Sequence, residues 1–131
     1  MGNVKTIVAL SLLLLSCSGE SGHDPGQRYD HATLDKKYQA VYSLIRDLSC
    51  QDSSDCASIG VGSKPCGGPW RYVVYSKATV DEKELMDSVA DLNEYEKGYN
   101  IQEGISSDCE TAPEARPGCV SGKCTDLNSA P

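Results

Sequence analysis

Sulfur is the obvious source of chemistry in this chain, which holds seven cysteines and only two histidines. Cys66-Gly67-Gly68-Pro69-Trp70 has the composition of a redox turn. Redox exchange needs a second thiol close enough to resolve a mixed disulfide. The third position after Cys66 is Pro69, and a strand-like run follows. The segment therefore reads as a tight turn closed by a structural disulfide. Structural zinc takes four N or S ligands, commonly from two close cysteine pairs. Cys119 and Cys124 have suitable spacing, Cys50 and Cys56 are one residue too far apart, and His23 and His31 sit in or just beyond a polar leader. The loop Asp52-Ser53-Ser54-Asp55 lacks the alternating ligands and glycine of a calcium loop. No metal and no cofactor is expected.

Hydrolytic chemistry does not assemble either. There is no Gly-x-Ser-x-Gly, no P-loop and no HExxH, and neither histidine has a packed setting. Paired carboxylates stay open, because 19 acids are available. The expected activity is non-catalytic binding, and the candidate surface is Trp70, Arg71 and Tyr75 beside the cysteine-held turn. Tryptophan, tyrosine and arginine are enriched at binding hot spots, and rigid presentation lowers the entropic cost of association. The competing reading is that Trp70 and Tyr72 fill the core, since phenylalanine is absent. Residues 81–97 carry seven acids against Lys83 and Lys97, which is either a solvated helix face or a dock for a basic protein. A net charge of −7 excludes a general nucleic-acid binder.

These residues need elements to position them. Leu34, Tyr38, Val41, Ile45 and Leu48 recur at helical steps, predicting a helix over about 33–48 capped by Thr33 or Asp30. Cys56–Val61 reads as a short strand. Trp70 to Tyr75 is the strongest strand signal, with Trp70, Tyr72 and Val74 on one face and Arg71, Val73 and Tyr75 on the other. A second helix is expected from Thr79, whose spacing to Glu82 fits a capping box, with Gly98 as its stop. Cys119–Cys124 reads as a final strand with a glycine-softened turn or bulge. The predicted class is α+β: one antiparallel sheet of about three strands, two helices on one face, and three disulfides. Six cysteines allow 15 connectivities, and at least one bridge is expected to span the 43-residue gap between Cys66 and Cys109.

The N-terminus supplies an address. Lys5 precedes the apolar run Ile7–Leu15. Nine residues span about 14 Å as a helix, far short of a hydrocarbon core of roughly 30 Å. The pattern is that of a secretory signal peptide, residues 1–16. Leu14-Leu15-Ser16-Cys17 resembles the lipobox of bacterial lipoproteins, in which the cysteine carries diacylglycerol and becomes the first residue after cleavage. The resemblance implies lipidation at Cys17 and anchoring to a membrane. Ser18 then implies the outer membrane in a Gram-negative host. An odd cysteine count in an exported protein leaves one thiol over, and lipidation of Cys17 consumes it. Cys50, Cys56, Cys66, Cys109, Cys119 and Cys124 remain for three disulfides. Residues 17–29 are expected to be a flexible tether, with one domain over 30–131. The mature domain resembles small, uncharacterised, cysteine-rich bacterial lipoproteins in its CGGPWRYVVYS stretch. Extracytoplasmic localisation, a membrane reached through the lipid, and a protein partner in the envelope are the expectations. Within that class, inhibition of a hydrolase is one binding function; a structural envelope role, or redox or hydrolytic catalysis, are the alternatives.

Overall fold

The structure, a computed structural model, describes residues 26–129. The signal segment, Cys17, Ser18 and His23 lie outside the described residues. Helix α1 runs His31–Leu44 rather than 33–48. Of the two capping candidates Asp30 acts: its carboxylate accepts the Thr33 amide and hydroxyl, both at 2.8 Å. The helix ends early because Asp47 turns back to accept the Ser49 amide at 3.0 Å, a local alternative to further helix. His31 opens the helix, with Nδ1 3.0 Å from the Asp35 carboxylate.

β1 (Cys56–Val61) and β2 (Arg71–Ser76) pair antiparallel, Ile59 opposite Val73 and Ala57 opposite Tyr75. Helix α2 runs Glu82–Glu103. Its cap is Asp81, which accepts the amides of Lys83 and Glu84 at 2.9 and 3.1 Å, not Thr79. Thr79 is occupied elsewhere, donating its hydroxyl to the Asp47 carbonyl at 2.5 Å. The helix also passes through Gly98 and stops at Gly104, which adopts φ 62° while Ile105 N–H closes back on the Asn100 carbonyl at 2.9 Å. Gly98 is glycine for a different reason. A Cβ there would overlap the ring of Tyr29, which lies across the helix. Tyr29 therefore belongs to the packed domain rather than to the tether.

The last expected strand is a hairpin. β3 (Pro117–Val120) pairs with β4 (Lys123–Asp126) around Ser121 and Gly122, at φ 51° and 74°. Two successive left-handed residues make a two-residue hairpin turn, which glycine and small polar side chains tolerate. The α+β class stands, but in place of one three-stranded sheet there are two separate two-stranded sheets. One core forms from Leu34, Val41 and Ile45 of α1, Leu85, Val89 and Leu92 of α2, and Val61 and Tyr75 of the first hairpin. All three disulfides cross the long cysteine gap: Cys50–Cys119, Cys56–Cys124 and Cys66–Cys109. The second fastens the second hairpin to β1 of the first, and the first fastens it to the loop that precedes β1.

Replacing Gly98 with Ala sets helix propensity against steric overlap. Alanine favours a helix interior by about 1 kcal/mol, whereas overpacking costs about 1–3 kcal/mol. A net loss of stability, with faster tryptic cleavage at the exposed Arg28, is the expected outcome in thermal melts and limited proteolysis. A stabilised variant with Arg28 still protected would show that Tyr29 is not held as described.

Candidate functional site

The most constrained polar group is Glu96, 6% exposed in the middle of α2. It accepts the Tyr38 hydroxyl of α1 at 2.9 and 3.0 Å, the Trp70 Nε1–H at 3.1 Å and the Ser63 amide at 2.6 Å. Its neighbours along the same helix do related work. Asn93 accepts the Gly62 amide at 2.8 Å, and Asn100 donates to the Ser63 carbonyl at 2.7 Å. A buried polar group is tolerable only when its hydrogen-bonding capacity is met, and a satisfied network fixes geometry. Here it fixes the connection between β1 and β2. Gly62 is required there: φ is 86°, and a Cβ would stand 2.5 Å from the Trp70 ring and 2.6 Å from the Tyr38 hydroxyl.

The rest of that connection is held independently. Lys64 N–H donates to the Gly68 carbonyl and Gly67 N–H to the Lys64 carbonyl, each at 2.9 Å. The Lys64 ammonium reaches Asp108 at 3.0 Å and the Glu110 carbonyl at 2.7 Å, and lies 5.6 Å from the Trp70 ring centroid. Asp108 is held below the usual carboxylate range, mainly by that lysine. Cys66–Cys109 closes the same junction. The hairpin connection is thus pinned by hydrogen bonds, an ion pair and a disulfide, and it is rigid for identifiable reasons.

The three candidate surface residues separate. Arg71 is exposed. Trp70 is half-buried with its indole N–H turned inward to Glu96. Tyr75 is not a surface residue: it is 4% exposed, part of the core, with its hydroxyl on Glu82 at 2.7 Å. The correction follows from the pleat. The face carrying Val73 and Tyr75 packs on the helices together with Ala57 and Ile59, so Tyr72 and Val74 fall on the outer face. Tyr72 borders a depression of about 300 Å³ shared with Gly60, Gly68, Pro69 and Asn93. A larger groove of about 540 Å³ lies between the connection and the end of α2, lined by Pro65, Gly67, Lys97, Asn100, Ile101 and Ile105.

Among the described residues, Cys50, Cys56 and Cys124 place their Sγ atoms within 4.8 Å of one another. Each is committed to a disulfide, which offers no thiolate to a metal. Glu96 is the residue that sequence reasoning treated as one more acid in a charged run. Its signal was present: Leu85, Val89, Leu92 and Glu96 continue one stripe at steps of four, three and four. Compared with known proteins, the chain matches no family model, no curated protein and no solved structure.

Glu96→Ala would strip three inward donors of their acceptor. A loss on the order of 3–5 kcal/mol is expected, with Glu96→Gln milder because one acceptor oxygen remains. Denaturant unfolding checks both, and a loss below about 1 kcal/mol for the alanine variant would deny the cluster its anchoring role. Alkaline titration probes the same packing. Burial, then the bond to Glu82, pushes the Tyr75 phenol up to about 12; burial, then the Glu96 charge, raises Tyr38. The folded state keeps protons that the unfolded chain releases near its ordinary phenol pKa of about 10, so stability is full below that value and falls as pH rises toward 12. Tyr75→Phe is expected to flatten part of that fall in a melting-temperature series.

Proposed function

We propose that this protein is a bacterial lipoprotein, held to an envelope membrane through a lipid on Cys17 and presenting a disulfide-bonded binding domain to an extracytoplasmic space. The observation that carries the binding reading is the first hairpin, whose outer face offers Tyr72 over a connection pinned by Glu96 and by Cys66–Cys109. Pre-organisation of that kind reduces what association must spend on ordering. The address rests on the Leu14-Leu15-Ser16-Cys17 sequence and the odd cysteine. The three disulfides are compatible with an extracytoplasmic location, and no helix among the described residues is long and apolar enough to cross a membrane. The outer membrane is the proposed site in a Gram-negative host, from Ser18. The proposed activity is non-catalytic, and inhibition of an envelope hydrolase is its concrete form.

Cys17→Ala should move the domain from the membrane to the soluble fraction and abolish the acyl mass on the mature chain. Firm membrane attachment of that variant would end the anchor reading. The soluble domain should then inhibit a peptidase or a muramidase saturably, and Tyr72→Ala should weaken inhibition at least tenfold while leaving the melting temperature unchanged. Absence of saturable inhibition across both enzyme classes, with no discrete product from a photo-crosslinker at position 72, would favour a structural envelope role instead.

A further inference from the structure

The two helices run antiparallel, which decides where the chain enters the domain. Lys37 of α1 pairs with Asp91, farther along α2 the Tyr95 hydroxyl accepts the Asp30 amide at 2.9 Å, and at the end Tyr29 and Gln102 exchange backbone-to-amide bonds of 2.8 Å each. Followed backwards, residues 30 and 29 thus advance toward the C-terminal end of α2, where the described chain enters the domain. Cys17 stands twelve residues before Tyr29. A segment of that length reaches at most about 40 Å.

The same end of α2 carries an unusual surface for so acidic a chain. Ile101 is 67% and Ile105 41% exposed, on the rim of the 540 Å³ groove. Lys97 lies one turn before Ile101 and forms no ion pair among the described residues. Lys64, across the groove, offsets Asp108. By contrast Asp81, Glu82, Glu84, Asp87 and Asp91 crowd the opposite half of the helix, against Glu94 and Glu103 as the exposed acids of this half.

We propose that this end of the domain rests on the bilayer that holds its own N-terminus, with Ile101 and Ile105 among the headgroups and Lys97 level with anionic lipid phosphates. The inference depends on lipidation of Cys17. Two half-exposed isoleucines and one lysine are too little to recruit a free protein to membranes. Tethering changes the arithmetic, because contact becomes intramolecular at millimolar effective concentration, and apolar side chains flanked by basic ones settle at the interface. The outer face of the first hairpin then points sideways along the membrane, open to a partner.

Full-length acylated protein in phosphatidylglycerol–phosphatidylcholine vesicles with brominated acyl chains tests this directly. Ile101→Trp reports on the proposed contact and Met86→Trp on the far half of α2; both sites are more than half exposed, so folding should be intact and melts will show it. After subtraction of the Trp70 signal, lipid quenching at position 101 should exceed that at position 86 at least threefold. Adding Lys97→Glu should shrink that excess at least twofold. Equal quenching in protein whose mass shows the acyl group overturns the orientation and leaves the anchor standing. A mature chain without acyl mass overturns the anchor and this orientation with it. Dimerisation of the Cys17→Ala chain, abolished by Ile101→Asp, would assign the patch to a second copy and overturn the proposal as well.

Discussion

The fold depends on one carboxylate placed where an apolar side chain would ordinarily stand. Glu96 lies on the buried stripe of α2 and collects Tyr38 from α1, Trp70 from the start of β2, and the Ser63 amide from the connection between the strands. Three elements that share little contiguous apolar surface are thereby aligned by direction-specific bonds. An isoleucine at the same position would bury as well, but it would specify nothing about the indole or the connection. Charged groups buried with full hydrogen bonding contribute uncertainly to net stability, and their best-attested value is in selecting one arrangement. That value matters here because the connection contains Gly62, Gly67 and Gly68, all at positive φ, and would otherwise have many conformations.

The C-terminal segment uses a different means. Among its buried side chains are Ala112 and Cys124, too little to hold a two-stranded hairpin in place by burial alone. Disulfides substitute. Cys50–Cys119 and Cys56–Cys124 join the second hairpin to residues 69 and 68 positions upstream, and closure of loops that long removes the most entropy from the unfolded chain. Cys119 and Cys124 are cross-strand partners in the hairpin, so their side chains share one face and reach two neighbouring cysteines together. The two bridges cross in sequence order rather than nest, a pairing that cysteine spacing alone does not contain.

Legibility in the sequence tracked the range of the interaction. The apolar stripes of both helices and the strand Cys56–Val61 were readable because period and propensity are local. Helix ends were less so: Thr79 has the spacing of a capping residue, yet Asp81 accepts two amides and Thr79 bonds Asp47 from another loop. Gly98 has the composition of a stop signal but serves as a seat for Tyr29, a contact made by a residue read as tether. The face of β2 was readable as an alternation but not as a direction. Which of Tyr72 and Tyr75 points inward depends on where the helices lie, and that is decided by packing among segments far apart in sequence.

The arrangement that results separates three tasks by position. One end of α2 receives the incoming chain and bears the exposed isoleucines; the second hairpin is bonded to Cys56 of β1, the end away from its connection, and to Cys50 in the loop just before it. Between them the outer face of the first hairpin is left uncovered by either helix. A binding surface in that position must keep its shape without a second layer over it. Glu96 supplies the restraint from beneath, and Cys66–Cys109 supplies it from the side. Because these restraints reach the connection from α2 and from the segment following it, neither depends on the other. A ligand on the outer face would meet Tyr72 and Val74 on a strand whose entry is already fixed. That independence is the physical reason to look for function on this face rather than in the larger groove, where Ile101 on the last turn of α2 and Ile105 just past its cap stand beside the chain's own point of entry.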